Sequence, residues 1–247
     1  MILWTKSMIK LLLLIYPCFL FAQDNTPRDK SFEDASIFSY SLLTQYKRLN
    51  VSFTHDRIPN WDERNWEQNF LNLRYKLSKS WQFGIGHGQQ RGDRSNSDWK
   101  NIQGVWQWKD TTHRVENLSD VLINYKALWR SVIFEWRNTF RYNHHFDTKR
   151  FITRMSFNYY PMKIANKQMN LILSLEAHAP LNENETEERW AYLMWLVHLN
   201  EHLLIGPKYV YFRRDWQSLK EFEDQTFTEY DNFEELSMFG IQLINKF

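Results

Sequence analysis

The feature that most constrains this chain is an alternation of apolar and polar residues that keeps charges in the middle of its segments. In "SVIFEWRNTFRY", Val132, Phe134, Trp136, Phe140 and Tyr142 share one parity, while Glu135, Arg137, Thr139 and Arg141 share the other. Successive side chains on an extended strand point to opposite faces, so this period makes a strand with one apolar and one polar face. The following segments repeat it. "RFITRMSFNYY" sets Phe151, Met155, Phe157 and Tyr159 against Arg150, Arg154, Ser156 and Asn158. "MNLILSLEAH" sets Met169, Leu171, Leu173 and Leu175 against Asn170, Ser174, Glu176 and His178. Upstream, Leu71, Leu73 and Tyr75 oppose Asn72, Arg74 and Lys76, and Phe38 and Tyr40 oppose Ser39 and Ser41.

A soluble sandwich turns such an apolar face inward, whereas a membrane barrel turns it to lipid and keeps the polar face within. Segment length separates the two. The segments here run 9–13 residues, against about 5–6 for a soluble strand and about 9–11 for a tilted membrane strand. Arginine in mid-strand is tolerable where that face is wet, and 12 Trp, 12 Tyr and 18 Phe suit the aromatic girdles of a barrel in a chain whose mean hydropathy is only −0.61. The expected fold is therefore all-β, an antiparallel transmembrane β-barrel of about 12 strands, with 10 as the alternative. The segments fall at 37–46, 49–57, 67–78, 81–90, 99–109, 119–127, 131–143, 149–160, 168–178, 188–199, 203–214 and 235–247. One discrepancy accompanies that count. Short links near 47–48 and 79–80 are out of phase with those near 128–130 and 200–202, which points to a miscounted strand between Arg91 and Asp120.

The start of the chain reads as an export signal. Lys6 and Lys10 precede an apolar run from Leu11 to Phe21, and Ala22-Gln23 offers a cut after a small residue, so 1–22 is expected to be removed. A short segment 23–36 then leads into a single barrel domain, 37–247, placed in the bacterial outer membrane. No later apolar run is long enough for a membrane helix. The single cysteine, Cys18, lies inside the signal, which leaves the mature chain without thiol chemistry. The signal takes two lysines and no acid from 31 basic and 29 acidic residues, so the remainder is balanced and nothing recommends nucleic acid as a partner.

From Leu118 onward the chain resembles the bacterial outer-membrane barrel family catalogued as domain of unknown function 2490. The likeness is carried by "FEWRNTFRYN", "RFITRMSFNYYP", "LILSLEAH", Arg189, "YVYFRRDW" and the ending "FGIQLINKF". It implies an outer-membrane barrel without an established activity and assigns no catalytic residue. The ending, with Phe239, Ile241, Leu243 and the terminal Phe247 on one face, resembles the strand by which the barrel-insertion machinery recognises its clients. Expected partners are thus outer-membrane lipid, that machinery and a surface complex.

Candidate chemistry gathers on the polar face. Glu135, Arg137, Arg141, Arg150, Arg154 and Glu176, with Arg189 as an outlier, are expected to project into one lumen. There they either plug a narrow barrel by pairing with one another or line a polar conduit or anion site. Three enzyme-like signals are weaker. "HLNEH", His198 to His202, spells a zinc-peptidase pattern that requires a helix, yet it reads better as a hairpin turn between two strands. Ser174 and His178 share a parity, as a lipid hydrolase would ask, but on the lumen side. "NHHFD", with His144, His145 and Asp147, suits a solvated loop better than a metal site. Trp99, Trp106 and Trp108 are assigned to an interfacial girdle. No cofactor or metal is implied. The expected role is structural or transport-associated, with a lipid hydrolase as the alternative and a zinc peptidase more remote.

Overall fold

The computed structural model describes residues 30–61, 64–91, 98–102, 105–109, 115–164, 167–182, 187–219 and 229–247. The expected signal, 1–22, lies outside them. Every regular element among these residues is a strand: β1 Lys30–Tyr46, β2 Leu49–Trp61, β3 Arg64–Lys76, β4 Trp81–Arg91, β5 Asp98–Ile102, β6 Val105–Lys109, β7 Val115–Trp129, β8 Val132–Asn143, β9 Thr148–Ile164, β10 Lys167–Pro180, β11 Glu187–His198, β12 Leu203–Leu219 and β13 Glu229–Lys246. The first strand thus begins seven residues ahead of position 37.

Eleven strands close one barrel in the order β1-β13-β12-β11-β10-β9-β8-β7-β4-β3-β2. The all-β barrel expected from the alternation is present, with one difference in the count. The segment expected as a strand at 99–109 is instead the hairpin β5–β6, a separate two-stranded sheet. Each arm has five residues, too few for the roughly 9–11 that a crossing strand needs. Removing it from the wall restores the phase of the links. Those joining β1–β2, β3–β4, β7–β8, β9–β10 and β11–β12 now all lie at one end and none exceeds four residues. The opposite end holds the long β4–β7 and β12–β13 connections. We call these the turn end and the loop end. The hairpin leaves the β4–β7 side and brings β5 beside β12 on the far wall, so it crosses the loop end.

The faces follow the sequence parity. On β4, Gln82 and Gln90 are buried while Phe83 and Ile85 are exposed, and on β7 Asp120, Leu122 and Asn124 are buried while Val121 and Ile123 are exposed. The exposed side is the outer wall, because buried side chains reach one another across intervening strands. Lys208 of β12 reaches Asp56 of β2, three strands away, and Arg74 of β3 approaches Glu135 of β8, also three away. The interior is filled. Ile37, Ile58, Trp66, Trp190, Val210, Phe212, Leu236 and Met238 form an apolar cluster inside the walls of β1–β3 and β11–β13. Five of these side chains, Ile58, Val210, Phe212, Leu236 and Met238, have no exposure at all.

A charged interior and a polar outer rim

The six lumen candidates lie on the neighbouring strands β8, β9 and β10, and β8 and β9 show why carboxylates must come with the arginines. Their register places Arg137 opposite Arg154 and Arg141 opposite Arg150. Like charges directly opposed on one face destabilise a sheet unless a counter-charge arrives from elsewhere. It arrives from neighbouring strands. Arg141 donates from Nε and Nη2 to the two oxygens of Asp120 on β7, both at 2.9 Å. Arg150 donates to Glu188 on β11 at 2.7 Å, and Arg154 to Glu176 on β10 at 2.5 Å. His178 ties the carboxylates together, with Nε2 at 2.8 Å from Glu176 and Nδ1 at 3.3 Å from Glu188. Arg214 adds a second cation at 3.4 Å from Glu188, and the ring of Tyr192 lies under Arg154 at 4.8 Å. A second buried set links Lys208 to Ser39 at 2.6 Å and to Asp56 at 3.1 Å, with Ser39 donating to Asp56 as well.

Glu188, Asp120, Lys208, Asp56 and Arg74 were not singled out from the sequence. The parity that exposed Glu176 would have found them; Glu188 and Lys208 have largely apolar inward neighbours, whereas Arg74 stands between polar Asn72 and Lys76. Arg189 is a correction. It falls on the outer wall of β11, between inward Glu188 and Trp190, and pairs with Glu187 at 2.7 Å and Asp215 at 3.3 Å. Beside them Arg213 meets Asp215 and Glu235, so an ionic patch caps the outer wall at the loop end.

The weaker enzyme signals separate. His198 ends β11 and faces Asn170 at 3.2 Å, while His202 lies in the turn with its Nδ1 at 3.0 Å from the Lys246 carbonyl. Asn200 caps that turn by accepting the His202 and Leu203 amides. The helix that a zinc grip would need is absent. Ser174 donates to Ser156 at 2.8 Å instead of meeting His178. No cluster of three or more metal-ligating side chains occurs among the described residues. The tryptophans of β5–β6 belong to the hairpin and not to the wall, and their side chains lie outside the described residues. The turn end supplies a girdle of its own. Tyr46, Tyr75, Trp81 and Trp129 are exposed there, with Lys47 over Tyr46 and Arg130 over Trp129.

One polar group on the outer wall was not foreseen. Ser119 of β7 lies 2.8 Å from Nε2 of His144, in the turn after β8, and 3.4 Å from Nδ1 of His87 on β4. It stands at the loop-end margin of the apolar wall, one outward position from exposed Val121. Comparison with protein-family models, with curated proteins and with solved structures finds no match.

Proposed function

We propose that this chain is an integral outer-membrane β-barrel protein of the kind it resembles in sequence, with a filled interior and a structural or transport-associated role. One observation carries the reading: the barrel exposes its apolar face. Leu73, Ile85, Ile123, Phe140 and Ile241 are each 36–53% exposed on the outer wall. The opposite face holds the ionic network. In water that arrangement would leave a continuous apolar belt uncovered, which monomeric soluble proteins avoid. In a bilayer it is the stable one, since closure pairs the backbone groups and lipid covers the belt. The aromatic and basic rim at the turn end fits a membrane interface. Exposed Phe239, Ile241 and Phe247 on the last strand fit recognition by the insertion machinery.

A filled interior, with a hairpin across the loop end, argues for a barrel that anchors or assists a surface complex over one that conducts freely. Expression in a Gram-negative host is expected to give a membrane-bound protein whose unboiled form migrates faster than its boiled form. In planar bilayers it is expected to show no steady open-pore conductance. Recovery in the soluble fraction with unchanged mobility on boiling would count against the membrane reading. A large ohmic conductance would count against the filled interior.

A second reading, hydrolysis of lipid esters, has the Ser119–His144 pair in its favour. A serine Oγ 2.8 Å from an imidazole nitrogen can pass its proton as it attacks a carbonyl, and the edge of an apolar wall is the depth of lipid ester groups. Purified barrel mixed with diacyl phospholipid would release fatty acid on this reading, and Ser119→Ala would abolish the release. No release from the unaltered protein, with and without calcium, removes it.

A further inference from the structure

Two arginines inside the barrel are left without hydrogen-bond acceptors, and they lie on the same side of the lumen. Arg137 stands opposite Arg154 in the β8–β9 register, yet its nearest carboxylate, Glu176, is 3.8 Å away and already serves Arg154 and His178. Arg74 comes no nearer than 3.7 Å to Glu135, which Lys126 holds at 2.8 Å. The buried Nε groups of Arg74 and Arg137 have no partner. Glu135 therefore faces three cations, Arg74, Lys126 and Arg137. A guanidinium withdrawn from water without an acceptor is costly, and natural interiors satisfy such groups. Its planar fork is shaped for a bidentate oxyanion.

Access fits as well. Side-chain exposure is 35% at Lys126, 25% at Glu135, 23% at Arg137 and 16% at Arg74, in the same range as the 18% of Arg141 and 30% of Arg154. Arg74, Lys126 and Glu135 lie three or four positions, and Arg137 six, from the short turns at 77–80 and 130–131. These positions are nearer the turn end, while the loop end is crossed by the hairpin.

We propose that Arg74 and Arg137, with Lys126 at the mouth, form a binding site for a small oxyanion of the phosphate class, entered from the turn end. Glu135 orients Lys126 and sets the boundary of the site. The guanidinium pair selects a tetrahedral dianion over chloride, because each arginine offers two parallel donors that a spherical ion cannot use together. The inference rests on the barrel interior and not on where the barrel resides, so it can fail while the membrane reading stands.

The test uses the full barrel in a phosphate-free, non-ionic detergent. Unfolding temperature is followed by tryptophan fluorescence, with inorganic phosphate titrated against chloride at matched ionic strength. A saturating rise with phosphate alone is expected, weakened at least tenfold in apparent affinity by Arg137→Gln and by Arg74→Gln. Arg137→Lys, which keeps charge but loses the fork, is expected to fall between. Should a variant not fold, the unaltered protein is treated with phenylglyoxal, and phosphate is expected to protect Arg74 and Arg137 in peptide mass spectra while leaving exposed Arg130 reactive. Equal shifts from phosphate and chloride, with no protection of either arginine, would overturn the site and leave ordered water as the partner of these groups.

Discussion

Asp120 and Arg141 show how one residue pair carries a barrel interior. Asp120 is 5% exposed and accepts two parallel hydrogen bonds from Arg141. The guanidinium also lies 4.8 Å over the Phe70 ring, which shields the pair from below. Breaking a buried pair from one side leaves a charge without a partner, whereas removing both leaves only a packing defect. Arg141→Leu is therefore expected to destabilise the barrel by about 3–5 kcal/mol, read as a lower urea midpoint in detergent. The double change Asp120→Leu with Arg141→Leu is expected to recover most of that loss. If the double variant were as unstable as the sum of the two singles, the pair would not be the unit of stability claimed here. The same logic explains why some of the network was legible in sequence and some was not. Glu135, Arg137, Arg141, Arg150, Arg154 and Glu176 sit in segments whose inward positions are mostly polar, so parity announced them. Lys208 and Glu188 share parity with Val210, Phe212 and Trp190, and only closure of the wall shows that these large apolar side chains also point inward.

At the scale of a strand, β4 is the informative element because its inner face is nearly bare. Gly84, Gly86 and Gly88 occupy successive inward positions, and the Phe70 ring of β3 lies against Gly86 and Gly88. A Cβ at Gly86 would come to 2.6 Å from Phe70 Cε1 and 2.6 Å from Asn72 Oδ1. The amide can swing away, but the ring is held between the glycines and Arg141. Gly86→Ala should cost about 1–3 kcal/mol as overpacking, and the step should shrink when Phe70 is first replaced by alanine. An equal penalty in both backgrounds would assign the cost to backbone strain instead of the ring. Strand existence was readable from alternation, but β1, β2, β7, β12 and β13 run four to seven residues beyond the expected bounds at the loop end. The hairpin β5–β6 was not readable as such. Its arms alternate like the wall strands, and period two reports an extended backbone without saying which sheet receives it. Only the phase of the short links betrayed it, since a barrel strand too many reverses every later turn.

For the whole molecule, eleven strands impose what an even count avoids: a parallel seam. β1 and β13 pair in parallel from Lys30–Phe233 to Leu43–Lys246. Parallel pairing is somewhat weaker per residue, and bacterial single-chain barrels usually escape it with an even number of strands. This barrel reinforces the seam from both sides. Buried Lys208 reaches over it from β12 to Ser39 and Asp56, Gln242 donates to Ser41 at 3.2 Å, and the Phe247 amide closes on the Leu43 carbonyl at 2.9 Å. An odd count also separates the ends of the barrel, leaving the start of β1 at the loop end and Phe247 at the turn end. That separation can be read in cells. With Cys18, the only cysteine, replaced by serine, single cysteines at exposed Asp34, His145 and Lys79 report on the first strand, the loop end and the turn end. With the loop end facing outward, as the longer loops of outer-membrane barrels do, a membrane-impermeant maleimide applied to intact cells should label Asp34→Cys and His145→Cys, and should reach Lys79→Cys only after the outer membrane is opened. Asp34→Cys behaving like Lys79→Cys would mean that β1 enters from the turn end, which requires an even count and excludes the parallel seam. All three sites reacting alike would instead place the barrel outside a membrane, since only a sealed bilayer separates its two ends.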